Sequence, residues 1–372
     1  MDPQLTQTLS ALEAWARQGA ASGEPGPPEP IRELHIELTH RCNQRCVMCH
    51  HWMMPSRDPG SVGREMTLDQ IRRLVEGSES LRAVQIVVLS GGEPWLRPDL
   101  AQIAAFLSGH YPDASIGVLS NFGNARMIRD KLAELRERGV RRLWLGSSLD
   151  GLERTHDLIR GRPGAFQGLL ETSRMLCREF PGTDFSFNFT ITPRNYKELW
   201  PAYELASEMG VWFGAQMVVN QQGLDAPEVF HWRDPELDEV ERQIDRIILD
   251  LFSRHQALER IRQEQARQSS WLWTRLLYWH YLKKYAREPE RYFQNCLAGR
   301  RYAMFSPEGN LFFCPVNKHR TVGNVDGQTF DELWRSPRAE AERAYAASGR
   351  CNCWLNCIAN PVLDQAVARG MP

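Results

Sequence analysis

Cys42, Cys46 and Cys49 lie within the stretch CNQRCVMC, so three cysteines fall in eight residues. Thiolates are the soft ligands that select iron-sulfur clusters, and a four-iron cluster normally takes four of them. Three close cysteines would leave one iron of such a cluster open to another molecule. Zinc is the alternative, because His50 or His51 could act as a fourth ligand.

Strand-like and helix-like segments alternate along the chain that follows this motif. Six segments have the pattern of strands, at residues 34–38, 84–89, 115–119, 142–146, 185–191 and 212–219. Helical segments lie between them, and one, at residues 68–76, begins with a capping box formed by Thr67 and Gln70. This alternation predicts an α/β fold with a parallel sheet, whose active site lies at the carboxyl ends of the strands.

The composition of the whole chain limits its partners. With 372 residues and 42% hydrophobic content, the chain can form one large catalytic domain and a smaller one. The net charge of -1 and the absence of a basic run give no reason to expect nucleic acid. The polar N-terminus is unlike a secretory signal, and no apolar run approaches the ~20 residues of a membrane span. We expect a cytoplasmic protein without a membrane partner.

The nine cysteines form two groups, with Cys177 alone between them. The second group consists of Cys296, Cys314, Cys351, Cys353 and Cys357. Such tight grouping in a large chain indicates metal binding in a reducing compartment rather than disulfides. Cys177 lies in a segment that has the pattern of a helix, residues 172–180, and we expect it to be a buried structural thiol.

These features divide the chain into four parts. Residues 1–30 contain a short helix, at 5–17, and a Pro/Gly-rich linker, ASGEPGPPEP. Residues 31–220 form the catalytic core, and residues 221–295 form a helical connection whose aromatic side chains, around positions 271–293, either pack between domains or line a substrate site. Residues 296–372 form a smaller C-terminal domain.

The second predicted strand ends in Gly91, Gly92, Glu93 and Pro94. Glycines let a backbone approach a ligand closely, and a carboxylate can bind an ammonium group. Together with the three-cysteine motif about forty residues earlier, this GGEP sequence resembles the radical SAM superfamily and favours a cluster over zinc. The resemblance implies a partial (β/α)6 TIM-like barrel in which S-adenosylmethionine (SAM) chelates the open iron and its amino group binds at GGEP.

The resemblance also implies SAM-binding residues at later strand ends. The candidates are Met48, Gly91, Gly92, Glu93, Ser120, Asn121, Ser147, Ser148, Arg160, Asn188, Gln216 and Val218. Arg160 ends the segment HDLIRG, which is similar to one common in the family, and its guanidinium group is suited to a carboxylate. For Arg160 and for His156 in the same segment, the alternatives are a salt bridge or a polar loop.

The second cysteine group resembles a twitch or shortened SPASM domain, a β-hairpin plus helix that binds an auxiliary [4Fe-4S] cluster. The sequence PEGN between Cys296 and Cys314 predicts the hairpin turn. If four of the five cysteines bind the cluster, one remains, and we expect it to be Cys351 or Cys353. The spare thiol is either unused or a hydrogen-atom donor to the substrate.

The resemblance implies a radical SAM enzyme, of oxidoreductase or epimerase type, with SAM and two [4Fe-4S] clusters. The enzyme would cleave SAM to a 5'-deoxyadenosyl radical that abstracts a hydrogen atom from an unactivated carbon, with electrons from a reductase such as flavodoxin or ferredoxin. We expect a small or sugar-like natural product as substrate, because residues 1–30 are too few for a peptide leader-binding domain. The alternatives are a ribosomal-peptide maturase and a non-catalytic electron-transfer protein, although the latter would need no GGEP motif.

Overall fold

The computed structural model describes residues 3–21, 30–219, 228–254, 270–292 and 296–370. Within these ranges nine strands form a single sheet. The strands are β1 (Glu33–Thr39), β2 (Ile86–Gly91), β3 (Ser115–Leu119), β4 (Leu143–Ser148), β5 (Asp184–Ile191), β6 (Trp212–Met217), β7 (Tyr302–Phe305), β8 (Asn310–Phe312) and β9 (Gly323–Asn324).

Helices cover the sheet and connect its strands. They are α1 (Pro3–Ala21), α2 (Met54–Arg57), α3 (Leu68–Glu76), α4 (Leu100–His110), α5 (Ala125–Glu137), α6 (Glu153–Arg160), α7 (Ala165–Glu179), α8 (Leu199–Glu208), α9 (Asp234–Arg254), α10 (Ser270–Arg287), α11 (Phe330–Trp334), α12 (Pro337–Ala347) and α13 (Asn356–Gly370). No helix in the described ranges is long and apolar enough to cross a membrane.

The order of the strands confirms the α/β fold. It runs β6-β5-β4-β3-β2-β1-β7-β8-β9, and β1 to β6 are parallel to their neighbours, as in a partial (β/α)6 barrel. The sheet does not end at β1, because β7 pairs with it in parallel, with Glu33 opposite Tyr302. The hairpin of β7 and β8 and the short β9 follow as antiparallel strands. The C-terminal domain therefore extends the sheet of the core.

Side chains of β1 alternate between the two faces of the sheet. Leu34, Ile36 and Leu38 are buried in the hydrophobic core beneath the helices. His35 and Glu37 lie on the opposite face and are also buried. This second face thus carries polar side chains that need partners from neighbouring elements.

Helix α3 has the predicted bounds and begins with the predicted capping box, in which Thr67 and Gln70 satisfy each other's backbone N–H groups. Helix α7 is longer than the predicted segment. Cys177 in this helix is exposed, so the expectation that it is buried is wrong. The buried face of α7 runs through Leu169, Thr172 and Leu176, and Cys177 lies at its edge in the last turn. It is therefore not a buried structural thiol.

Most aromatic side chains of α10 belong to the core. Trp273, Trp279 and Tyr281 are at most 1% exposed, and the Trp279 ring stacks on Phe213 of β6. Trp271, at the start of the helix, is 41% exposed. The described part of the predicted connection therefore acts mainly by packing, between α9 and α13.

Helix α1 packs along α13 and α10, so the N-terminal segment contacts the C-terminal domain. Glu13 accepts hydrogen bonds from Tyr281 Oη and Lys284 Nζ of α10, both at 3.0 Å, and from Arg17 at 2.8 Å. Burial alone would raise the pKa of Glu13, but these donors outweigh it and lower the pKa to about 2.

We predict that Glu13→Gln lowers the free energy of unfolding by about 1–2 kcal/mol at neutral pH, a value reduced for partial solvent exposure. Since the folded-state pKa lies below the unfolded value, this stabilisation is present above about pH 4.5 and is lost as the pH falls towards 2. Urea denaturation of the cluster-free protein at about pH 7 and about pH 3 measures it. Exposed Glu179→Gln is the control, and an equal loss at both pH values would contradict the prediction.

Candidate active site

The loop from Cys42 to Cys49, called the cluster loop below, follows β1 and lies against the end of α6. Arg45 N donates to Arg160 O and Val47 N donates to Ile159 O, both at 3.0 Å. Gly161 ends α6 in the left-handed conformation, and a Cβ atom there would lie 2.2 Å from Arg45 O. Only glycine allows this close approach, so the end of α6 fixes the loop.

Cys46 is buried, and Cys42 and Cys49 are half-buried. Burial raises the pKa of Cys42 to about 11 and that of Cys49 to about 12, and in both cases a Cys46 thiolate adds to the effect. Without a cation nearby, these thiols therefore favour their neutral forms. Iron would supply the positive charge that keeps them ionised, so this donor set fits an iron-sulfur cluster.

His51, one of the alternative zinc ligands, is held in a buried polar network. Its Nδ1 atom lies 3.2 Å from His40 Nδ1, and its Nε2 atom accepts from Lys318 Nζ at 3.1 Å. Lys318 also pairs with Glu37 of β1, and His40 Nε2 lies 2.7 Å from Glu308 in the β7–β8 turn. Since both ring nitrogens of His51 have partners, this side chain connects the cluster loop to the C-terminal domain.

Gly91 and Gly92 bring the turn after β2 against the start of the cluster loop. A Cβ atom on Gly91 would lie 2.4 Å from Thr39 O, and one on Gly92 would lie 2.3 Å from Arg41 O. The next residue, Glu93, accepts hydrogen bonds from Asn121 N at 2.8 Å and Trp95 N at 3.3 Å. Burial raises the pKa of Glu93 to about 7, so this carboxyl group is only partly ionised at neutral pH and a cationic ligand would favour its ionised form.

Asn121 connects the end of β3 to the cluster loop, because its Nδ2 atom donates to Asn43 Oδ1 at 2.7 Å. Ser120, beside it, accepts from Phe122 N at 3.1 Å. At the end of β4, strand alternation directs Ser147 and Ser148 to opposite faces, and Ser147 is buried. Ser148 is the half-buried one of the two.

The predicted positions on β5 and β6 lie near the C-terminal domain. Asn188 accepts a hydrogen bond from Asn356, within the last cysteine motif, and a Cβ atom on Gly214 would lie 3.1 Å from the same amide. Gln216 and Val218 are half-buried near the end of β6. The C-terminal domain therefore contacts the core at both β1 and β5, and Asn188 has a protein partner that sequence analysis did not anticipate.

Arg160 contacts the first cysteine group directly. Its Nη1 atom donates to Cys46 Sγ at 3.2 Å, and its Nε atom lies 2.9 Å from Asp150 Oδ2. Asp150 is fully buried, and its backbone N–H donates to His156 Nδ1 at 3.1 Å. Asp150 was not among the predicted site residues, although its position directly after the fourth strand was a usable signal.

Four thiols of the second group line one pocket beside the hairpin: Cys296, Cys314, Cys351 and Cys353. Burial raises the pKa of Cys314 to about 12, and negative charge on Cys296 adds to this effect. The side chain of Cys357 lies outside the described residues. These closely placed thiols fit an auxiliary cluster.

The aromatic helix α10 positions this motif. The Trp354 ring stacks on Tyr278 with centroids 5.8 Å apart, and Trp354 Nε1 donates to Tyr278 O at 3.0 Å. Tyr278 Oη in turn donates to Ala215 O of β6 at 2.7 Å. The aromatic residues thus hold the chain between Cys353 and Cys357 against the core.

The chain is similar to curated and solved proteins along most of its length. It is 29% identical to an AdoMet-dependent heme synthase of Methanosarcina barkeri over 82% of each chain, and 24% identical to the mycofactocin maturase MftC of Mycobacterium tuberculosis, over 90% of this chain and 78% of the relative. It spans less than half of several other curated relatives. The structure of anSMEcpe with bound AdoMet and Cp18Cys peptide matches with a TM-score of 0.58 and 14% identity over 86% of this chain and 84% of that one, which supports the fold alone.

We predict that SAM binds more tightly as the pH rises from about 6 to about 8, because Glu93 ionises near pH 7 and its carboxylate can then bind an ammonium group. Glu93→Gln should weaken binding by about 10- to 100-fold at pH 8 and remove this pH dependence. Equilibrium dialysis with SAM measures both effects. Glu137→Gln, at an exposed position of α5, is the control. A Glu93→Gln variant with the wild-type pH profile would exclude Glu93 as the ammonium ligand.

We also predict that Cys46→Ala removes about half of the iron that the reconstituted protein binds, because one of two clusters loses a ligand. Cys177→Ala should leave the iron content unchanged, since Cys177 is exposed and distant from both groups in sequence. Iron and sulfide analysis measures the difference, and circular dichroism verifies folding. Full iron content in Cys46→Ala would contradict the cluster assignment.

Two family models match separate parts of the chain. The model of the radical SAM superfamily matches residues 36–206, and that of the SPASM iron-sulfur cluster-binding domain matches residues 296–357. The matched parts contain both cysteine groups and imply SAM and two iron-sulfur clusters as cofactors. The chain therefore belongs to the radical SAM superfamily and is an enzyme of this class with a C-terminal SPASM-like domain.

Proposed function

We propose that the protein is a maturase that modifies a peptide by radical chemistry. The observation that carries this proposal is an open groove of about 1010 Å³ between the cluster loop and the C-terminal hairpin. The lining of the groove includes His50, directly after Cys49, and also Asp326 and Gln328, beyond β9. A substrate in the groove would therefore reach from the surface of the C-terminal domain to the first cluster.

The lining of the groove favours an extended polar substrate. Polar side chains include His40, His50, Asp58, Arg64, Glu65, Gln70, Glu308, Asn310, Lys318, Asn324 and Asp326. Among the described lining residues, Met54 and Phe312 are the large apolar ones. Sites for small molecules usually measure ~300–1000 Å³ and are mostly apolar. A peptide, with backbone polar groups at every residue, suits this groove better than a small or sugar-like product.

Similarity to the mycofactocin maturase over 90% of the chain agrees with this proposal. A second candidate follows from the similarity to the heme synthase and to an Fe-coproporphyrin III synthase, namely an iron porphyrin. A flat macrocycle would require an apolar slot, whereas Met54 and Phe312 are the large apolar side chains that line the groove among the described residues. The peptide is therefore the first choice, with the porphyrin as the specific competitor.

The residues of the chain have distinct proposed tasks in this reaction. SAM, when bound to the reduced first cluster, supplies the radical that removes a hydrogen atom from the substrate. Glu93 binds the ammonium group of SAM, and Gly91 and Gly92 let the backbone approach it. A flavodoxin or ferredoxin supplies the electron. Of the two candidate spare thiols, Cys351 and Cys353, Cys353 is the proposed hydrogen-atom donor in an epimerisation, because Cys351 accepts a hydrogen bond from Arg291 and is assigned to the auxiliary cluster.

The proposal is tested with anaerobically reconstituted protein, SAM and dithionite. The substrates are the short peptides encoded beside the gene and, separately, iron coproporphyrin. We expect 5'-deoxyadenosine together with a mass change or deuterium incorporation in a peptide. A mass change in the porphyrin, with every peptide unchanged, would favour the second candidate. No 5'-deoxyadenosine from fully loaded protein would contradict both.

We predict that Gly327→Trp blocks peptide modification by more than about 10-fold while SAM cleavage without substrate continues. Gly327 lines the groove, and a Cβ atom there meets nothing within 4 Å, so the indole fills the groove without disturbing the fold. Mass spectrometry of the peptide and chromatography of 5'-deoxyadenosine measure the two activities. Gly109→Trp, also with open space around its Cβ atom but on α4, is the matched control. Unchanged peptide turnover in Gly327→Trp would show that substrate binds elsewhere.

A further inference from the structure

An arginine donates to a cysteine sulfur in each of the two cysteine groups. Arg160 Nη1 lies 3.2 Å from Cys46 Sγ in the first group. Arg291 Nη2 lies 3.4 Å from Cys351 Sγ in the second. The two arginines come from unrelated elements, since Arg160 ends α6 and Arg291 follows α10. The same contact has therefore been built twice, once at each proposed cluster.

Arg160 is held rigidly beside Cys46. The whole residue is 9% exposed, and its Nε atom is paired at 2.9 Å with Asp150, which is fully buried. Asp150 is fixed in turn, because its Oδ1 atom accepts from Thr190 N at 2.7 Å. An arginine guanidinium group remains charged at all relevant pH values, so Cys46 has a permanent positive charge beside it.

Arg291 is held in a comparable way. Its Nη1 atom donates to Ala346 O, at the end of α12, at 2.6 Å, which leaves Nη2 directed at Cys351. The side chain lines the same pocket as the four described thiols. Its charge is therefore fixed at the wall of the auxiliary site rather than free in solvent.

We propose that Arg160 and Arg291 are positioning residues that set the reduction potentials of the two clusters, each through the cysteine that it contacts. Reduction adds one electron, taken from an external donor, and makes a cluster more negative. A nearby positive charge and an N–H bond to a ligand sulfur stabilise that reduced form and raise its potential. Partial burial strengthens both effects, because little water screens them.

This inference assigns Arg160 a task that does not involve SAM. The resemblance to the family implied that its guanidinium group binds a carboxylate, yet this group already forms an ion pair with Asp150 and donates a hydrogen bond to Cys46. The two tasks are distinguishable, because tuning of the cluster operates without SAM and carboxylate binding does not. The inference rests on the two-cluster assignment and is independent of the peptide substrate.

The test uses full-length reconstituted protein without SAM and measures the midpoint potential of each cluster by potentiometry with electron paramagnetic resonance. The signal of the first cluster is identified by its change when SAM is added afterwards. In Arg160→Gln we expect a shift of that signal to more negative potential, with the auxiliary signal unchanged. In Arg291→Gln we expect the reverse, so each variant is the control for the other. Arg154→Gln, on the exposed side of α6, should shift neither.

Arg160→Lys keeps the charge and loses the fixed N–H geometry, so its shift should be negative and smaller than that of Arg160→Gln. If Arg160→Gln does not assemble the first cluster, the comparison of Arg160→Lys with wild type decides. Unchanged SAM-free potentials in the Arg160 variants, with weaker SAM binding, would overturn the proposal in favour of carboxylate recognition. Shifts of both clusters in every variant would overturn it as a general loss of structure. Because no peptide is present, failure here leaves the proposed peptide function untouched.

Discussion

Close backbone packing around the loop from Cys42 to Cys49 is the constraint on which the site depends. The loop is bounded by the end of α6 on one side and by the turn after β2 on the other. In both places the backbones lie so close together that a Cβ atom on the glycine would clash. Steric contact therefore requires glycine at three positions, Gly161, Gly91 and Gly92, whether or not a ligand binds. The thiols are thus positioned by backbone contacts before a cluster binds.

The sheet that the core and the C-terminal domain share also positions the second cysteine group. Because β7 pairs with β1, the hairpin of the C-terminal domain is a continuation of the core rather than a separately tethered unit. The ion pair of Lys318 with buried Glu37 and the Asn356–Asn188 hydrogen bond join the C-terminal domain to the core at β1 and at β5. Within the described residues, relative motion of the two cluster sites would require breaking sheet pairing and buried polar contacts together.

Local patterns predicted the parts of the molecule that local physics determines. The six core strands, helix α3 and its capping box could be read from the sequence because alternation and capping depend on neighbouring residues. The pairing of β7 with β1 could not, since it joins residues about 270 positions apart and leaves no local trace. Cys177 was misjudged for a related reason: helical periodicity alone does not decide how far the buried face of α7 extends around the helix. The roles of Asp150 and of the aromatic side chains of α10 depend on partners that are distant in the sequence.

The energetics of Asp150 and Arg160 also argue against a purely structural role. A buried ion pair loses hydration on both sides, and well-packed apolar residues of similar size are often as stable or more so. Asp150 is completely buried, so its desolvation is among the most costly in the core. Stability alone does not explain this arrangement. The arrangement is explained if a positive charge must stay at one fixed place beside Cys46. The buried carboxylate is rigid enough to hold the guanidinium group there when the cluster changes its own charge.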